Sequence, residues 1–186
     1  MKVKVTYIFL PALLLASVTG GQYPGATNRQ ETANGDWQPW LEALVRYDGY
    51  QILLRQAGPE ATLDVIRLVE SSRSPELVKA IIEVESGWKV GALSQRGARG
   101  LMQIRPIAAG EIDPSLEPDD LFDPVLNITL GIEIIESHLD YFADYNETEL
   151  WALTSYNRGR VGTFALDLHP PDTRYSREVL SHLQQM

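Results

Sequence analysis

Glu85 is the residue with the clearest chemical potential. It lies in the stretch Ser74 to Pro106, SPELVKAIIEVESGWKVGALSQRGARGLMQIRP. Ser74 followed by Pro75 is a helix start, and Gly87 stands where a helix C-terminus favours glycine. The spacing therefore predicts a helix over about Pro75 to Ser86. At 100° per residue, with Glu85 as zero, Val78 falls at about +20°, Ile81 at about −40°, Ile82 at about +60° and Leu77 at about −80°. Glu85 thus sits within the apolar face. Glu83 falls at about 160°, beside Glu76 and Lys79, and is expected on the solvated face, within reach of Lys79 four residues away.

A carboxylate on a buried face at a helix C-terminus loses hydration and meets the negative end of the helix dipole. Both effects disfavour the charged form and raise its pKa. A carboxylic acid still protonated near neutral pH is suited to donating a proton to a glycosidic oxygen. Geometry alone leaves the other reading open, a partly exposed residue closing a helix. Ser86 could bond near Glu85 or simply end the helix. Gly87, Gly91, Gly97 and Gly100 suit either ordinary turns or close backbone approach. Gly100-Leu101-Met102-Gln103-Ile104 reads as a helix start, with Gln103 able to face a polar ligand and Leu101, Met102 and Ile104 in the core.

The elements that must position these residues are helical. Apolar residues recur at helical spacing from Trp37, with Asp36 as the cap, through Trp40, Leu41, Leu44 and Val45. A second helix spans about Gly49 to Ala57, and Gly58-Pro59 breaks it before a third. Asp123-Pro124 is a cap and first-turn pair opening a long helix to about Tyr145. Another helix runs from Glu147 to Tyr156 and ends at Asn157-Arg158-Gly159. After His169-Pro170-Pro171-Asp172 a last helix spans Tyr175 to about Gln184. Short extended pieces are expected only near Val90 to Leu93, so the fold class is mainly α.

Composition narrows the chemistry. The 186 residues are 44% hydrophobic and 22% charged, enough for one domain with a core. A net charge of −9 offers no basic stripe for nucleic acid. With no cysteine, disulfides, thiolate metal sites and thiol nucleophiles are excluded. Asp119, Asp120 and Asp123 lack the calcium-loop pattern and read as turn and cap residues. His138, His169 and His182 lack metal spacing and read as surface or loop residues. No metal or cofactor is expected.

Residues 1–21, MKVKVTYIFLPALLLASVTGG, have two lysines, an apolar run and then small residues. That is the layout of a secretory signal peptide, cut near Val18-Thr19-Gly20. An uncleaved anchor is the alternative. The organisation read from the chain is a signal peptide (1–21), a polar leader with a helical extension (22–72) and a catalytic domain (73–186). The expected location is the periplasm or another exported compartment of a bacterial envelope, with no membrane span after cleavage.

Several spaced motifs resemble the catalytic domain of soluble lytic transglycosylases, the lysozyme-like family that cleaves peptidoglycan. They are Ala80-Ile-Ile-Glu-Val-Glu85-Ser86-Gly-Trp88, Ala92-x-Ser94 and Gly97-Ala98-x-Gly100-Leu101-Met102-Gln103-Ile104-x-Pro106. Leu121-Phe-Asp123-Pro124-x-x-Asn127-Ile128 and Ser155-Tyr156-Asn157-x-Gly159 follow in order, and Tyr175 with Val179-Leu180 resembles the closing segment. Arg105 stands where many members carry an apolar residue. The resemblance implies a lysozyme-like helical lobe with at most a small β element. It implies Glu85 as the catalytic acid, and Ser86, Ser94, Met102, Gln103, Tyr156 and Asn157 as groove residues.

By the same resemblance, one glutamate acts on the bond between MurNAc and GlcNAc and leaves 1,6-anhydro ends, with Tyr156 donating near Glu85 or the acetamido group. A goose-type muramidase is the hydrolytic alternative. A catalytically idle peptidoglycan-binding module of a secretion or conjugation apparatus is the non-enzymatic one. Glycan strands are the expected partner, with such an apparatus as a second partner class.

Overall fold

The computed structural model describes residues 38–166 and 171–186. The expected signal peptide and leader, the expected cap Asp36, Trp37 and His169-Pro170 lie outside the described residues. Within them run seven α-helices: α1 (Gln38–Arg46), α2 (Asp48–Glu70), α3 (Pro75–Ser86), α4 (Pro106–Ile112), α5 (Pro124–Tyr141), α6 (Thr148–Phe164) and α7 (Arg174–Leu183). A 3₁₀ helix, Pro118–Phe122, precedes α5. Extended pairing among the described residues is limited to isolated antiparallel bridges, Leu93 with Arg99 and Arg99 with Ile104. The fold is mainly α.

Helix α3 forms where its end signals lie. Pro75 opens it, although the Ser74 side chain makes no capping bond. Gly87 closes it in the left-handed region (φ 55, ψ 41), its N–H donating to the carbonyls of Ile82 and Glu83. The turn of backbone there is one glycine takes without Cβ strain. Leu77, Val78, Ala80, Ile81 and Ile82 are buried, as the helical projection requires. They pack with Leu53 and Ile66 of α2, Ile128 and Ile135 of α5, and Val179 of α7. Helix α3 contacts α7 and α2; α2 packs also on α5, and α5 on α6. The helices before residue 73 therefore share this core.

Two glycines bend helices in the same way. Gly58 (φ 79, ψ 176) interrupts α2, and the Thr62 hydroxyl donates to its carbonyl at 2.7 Å. Gly159 (φ 74, ψ 157) interrupts α6, and the Thr163 hydroxyl donates to its carbonyl at 3.0 Å. The expected break at Gly58-Pro59 is thus a kink. Helix α6 does not end at Gly159 as its sequence suggested but turns there and continues to Phe164. Helix α5 stops at Tyr141, short of Tyr145. Phe142 turns inward instead, fully buried, its ring stacked on Trp151 with centroids 5.5 Å apart.

Three expectations are corrected. Residues 100–104 are not a helix start: Gly100 (φ 77) and Gln103 (φ 50) have positive φ, which a right-handed helix excludes. Lys79 is not solvated beside Glu83. It is 8% exposed, and its ammonium lies 3.3 Å from Glu70 and 3.4 Å from Glu76. Glu83 itself is half-buried. His138 is also half-buried, its Nδ1 enclosed; burial and the nearby Arg160 lower its pKa to about 4.

Candidate active site

Glu85 occupies the last turn of α3, half-buried against the core that α3 shares with α7. Burial is the main effect on its carboxyl and pushes the pKa up to about 7; the Tyr175 hydroxyl opposes this in part. No second carboxylate is among the groups that shift it. Tyr175 enters from α7, and its buried hydroxyl has no well-formed hydrogen bond among the described residues. The hydroxyl is close enough to tune Glu85 but lacks the distance or angle of a settled bond. Its own pKa is well above the ordinary tyrosine range, through burial and the charge of Glu85.

Tyr156 approaches from α6. Its hydroxyl donates to the Met102 carbonyl at 2.8 Å, not to Glu85. Burial, and after it the Glu85 charge, raise its pKa as well. The acid therefore has two neutral phenols nearby, one fastened to the loop and one facing it. A neutral, water-poor surrounding without a counter-charge keeps a carboxyl protonated to higher pH.

The loop after α3 is held by a small set of polar bonds. The Ser94 hydroxyl accepts from Ala98 N–H at 3.0 Å, closing the loop tip. Gln103 Nε2 donates to the carbonyls of Ala92 and Gly100 at 3.1 and 3.0 Å, leaving Oε1 as the acceptor a ligand could use. Met102 has a fully enclosed side chain; its sulfur fills a notch where a Cβ on Gly131 would stand 2.2 Å away. What this position turns toward the site is its carbonyl. Ser86 bonds back to the Ile82 carbonyl at 3.1 Å, closing the helix. Asn157 is exposed beside Tyr156. The structure thus brings Glu85, Tyr156 and the Met102 backbone together, with Ser94 and Gln103 bracing the loop.

Two residues matter more than their sequence context suggested. Tyr175, read only as part of a closing segment, meets Glu85 from ninety positions away. Asn127, read only as part of a motif, is fully buried and fastens three strands of backbone. Its Nδ2 donates to the carbonyls of Arg99 (2.9 Å) and Leu121 (2.8 Å), and its Oδ1 accepts from Met102 N–H (2.8 Å). Gly100 must be glycine for this, since a Cβ there would lie 2.3 Å from Asn127 Nδ2. An asparagine four residues after the Asp123 cap, between the apolar Leu126 and Ile128, was the available signal.

Asp123 caps α5 through Leu126 N–H at 2.8 Å, and Asp120 completes a capping box with Glu117. Among the described residues no cluster of three or more His, Asp or Glu is arranged to hold a metal ion. None of their helices is long and apolar enough to cross a membrane.

The helical lobe presents one half-buried glutamate from the end of α3. The family model of the transglycosylase SLT domain matches residues 67–163, which include Glu85, the loop and Tyr156, and the chain belongs to that family. The transglycosylase of Enterobacteria phage PRD1 is 34% identical over 85 residues, 46% of this chain and 29% of that protein. The endo-type membrane-bound lytic murein transglycosylase A of Klebsiella pneumoniae is 28% identical over 116 residues, 58% of this chain and 51% of that protein. The chain spans about half the length of these relatives or less. Tyr175 lies beyond the matched family span.

Proposed function

We propose that the chain is a peptidoglycan lytic transglycosylase that cleaves the MurNAc-β-1,4-GlcNAc bond with Glu85 as its single acid and base. The observation that carries this reading is the match of residues 67–163 to the transglycosylase SLT domain, with half-buried Glu85 at the end of α3 and Tyr156 beside it. Burial that pushes the Glu85 pKa up to about 7 suits a proton donor at neutral pH. Protonated Glu85 gives its proton to the glycosidic oxygen, and the bond to the MurNAc anomeric carbon breaks. The substrate's acetamido group stabilises the positive centre. The Glu85 carboxylate then takes the proton of the MurNAc 6-hydroxyl, whose oxygen closes the 1,6-anhydro ring. The acid is restored without water.

The tyrosines support this cycle. Tyr175 can donate to the carboxylate in the half-cycle when it is charged. Tyr156 holds the Met102 carbonyl and so the loop beside the acid. The relatives' printed names, transglycosylase and lytic murein transglycosylase, agree with the proposed chemistry. The signal-like residues 1–21 support export to the envelope, where this substrate lies.

Digestion of purified sacculi followed by muropeptide analysis tests the reading. The expected product has 1,6-anhydroMurNAc ends. Reducing MurNAc ends would mean a muramidase instead, and intact sacculi with bound protein would mean an idle binding module.

A further inference from the structure

The two stretches that frame Glu85 contain no carboxylate. From Ser86 to Gly110 the chain has Lys89, Arg96, Arg99 and Arg105 and no Asp or Glu; from Leu150 to Leu166 it has Arg158 and Arg160 and again none. The rest of the chain carries all twenty-five Asp and Glu against the other ten Lys and Arg. The two stretches also meet in space. The Tyr156 hydroxyl is bonded to the Met102 carbonyl at 2.8 Å and senses the Glu85 charge. An acidic protein thus has two carboxylate-free, cationic stretches that meet beside its acid, although none of their charges acts on the Glu85 carboxyl itself.

Most of that charge is unspent. Arg99 is used by the protein: it donates to the Gly97 carbonyl at 2.6 Å, lies 3.8 Å from Asp119 and faces the Phe122 ring. Arg160 lies over the Tyr141 ring at 4.9 Å, which leaves its charge unneutralised. Lys89, Arg96, Arg105 and Arg158 are exposed, and none forms an ion pair among the described residues. Elsewhere Arg46, Arg67, Arg73, Lys79 and Arg177 each have a carboxylate partner, while Arg55 and Arg174 form no ion pair among the described residues. Clustered unpaired cations raise the local concentration of anions and fix their register.

Sugar rings of a glycan strand are neutral. The negative charge of peptidoglycan lies in the free carboxylates of its stem peptides and, where a stem has been removed, in the lactyl carboxylate left on MurNAc. Exposed cations on two stretches that are otherwise largely packed into the core fit groups that project from the strand. We propose that Lys89, Arg96, Arg105, Arg158 and Arg160 form a cationic frame that selects strands bearing stem peptides through the peptide carboxylates. The proposal rests on the reading of Glu85 as a peptidoglycan-cleaving acid. The frame acts on binding, not on the bond being broken, so it shows in KM and leaves kcat alone. It is also screened by salt, since exposed charges interact over about 8–10 Å at moderate ionic strength.

The test uses the full chain on uncrosslinked strands with peptides and on the same strands stripped by an amidase. The wild type is expected to show the lower KM on peptide-bearing strands, with the gap closing as salt rises. The triple variant Arg105→Gln/Arg158→Gln/Arg160→Gln should raise that KM about tenfold, at a few-fold per exposed charge. The stripped-strand KM should change several-fold less. Lys89→Gln/Arg96→Gln gives an independent pair if the triple variant unfolds, and Arg46→Gln on α1 is the control. Equal losses on both substrates would overturn the assignment to stem carboxylates, and no loss on either would overturn the frame. Pelleting of Glu85→Gln protein with intact sacculi, with and without the arginine changes, reads the frame without turnover. If the wild type cleaves nothing while pelleting still follows the arginines, the reading of Glu85 fails and the frame stands.

Discussion

Helix α3 carries ionisable groups on two faces and treats them in opposite ways. Around Lys79 each charge has a partner. The ammonium meets Glu70 and Glu76 and lies 5.5 Å from the Tyr47 ring centroid, and Glu70 accepts from the Tyr50 hydroxyl at 2.8 Å. About 120° further round the helix, Glu85 has no counter-charge, only a tyrosine hydroxyl that makes no settled bond. A buried charge surrounded by partners adds rigidity and little reactivity. A buried carboxyl without them is destabilised when ionised, and that cost is what tunes an acid. The contrast separates the fastening side of one helix from the side that bears the proposed acid.

The largest break in this contrast is expected from Glu85→Gln. Turnover of sacculi should fall roughly 10²–10⁴-fold, the usual worth of a positioned general acid. Stability should move the other way. The folded pKa of about 7 exceeds the ordinary 4.5, so the folded protein binds the proton more tightly than the unfolded chain. The penalty is absent below about pH 4.5 and complete above about pH 7. Relative to wild type, Glu85→Gln should gain on the order of 2 kcal/mol in urea unfolding at pH 8 and nothing at pH 4. A variant that gained equally at both pH values would sink the unpaired-carboxyl account.

Lys79→Met attacks the other side. It leaves Glu70 and Glu76 facing each other without their cation, and unfolding should come about 2 kcal/mol more easily, short of the full cost for a deeply buried pair because Glu70 is partly exposed. Turnover per folded molecule should stay near wild type. A large loss of kcat with unchanged stability would merge the two faces. A smaller effect is expected from Tyr175→Phe. The hydroxyl lowers the Glu85 pKa, so its removal should shift the alkaline limb of the pH–rate profile above 7 and reduce kcat by about tenfold or less. A downward shift of that limb would contradict the contact. Glu83→Gln, about 40° beyond Lys79 and away from Glu85, should lie within about twofold of wild type in kcat/KM and within about 0.5 kcal/mol in stability.

How much of this was legible in the sequence depends on how local its cause is. The choice of Glu85 over Glu83 needed only helical period, and the limits of α3 needed only Pro75 and Gly87. Lys79 was misplaced because its principal partner, Glu70, lies on another helix, and periodicity reports only the polar face of its own. The Gly100–Ile104 segment has the composition of a helix start, yet Asn127, 25 residues downstream of Met102, takes its N–H and fixes a turn. Tyr175 was visible as a residue but not as a neighbour of Glu85, since only the packing of α7 on α3 brings them together. The kink at Gly159 was read as an end because a positive φ ends most helices; here Thr163 restarts the helix.

Asn127 also decides where this protein can change. Its three bonds reach Arg99, Met102 and Leu121, all on the downstream side of the loop, while the tip is closed separately by Ser94 and Ala98. Gln95 and Arg96, at that tip, are exposed. An insertion there adds only the small closure entropy of a longer loop, roughly 0.6 kcal/mol per doubling. The carbonyl that Tyr156 grips would not move. The rim of the site can therefore drift in length and charge from one descendant to the next while the acid keeps its setting, so that substrate range and chemistry evolve at separate rates within one short stretch of chain.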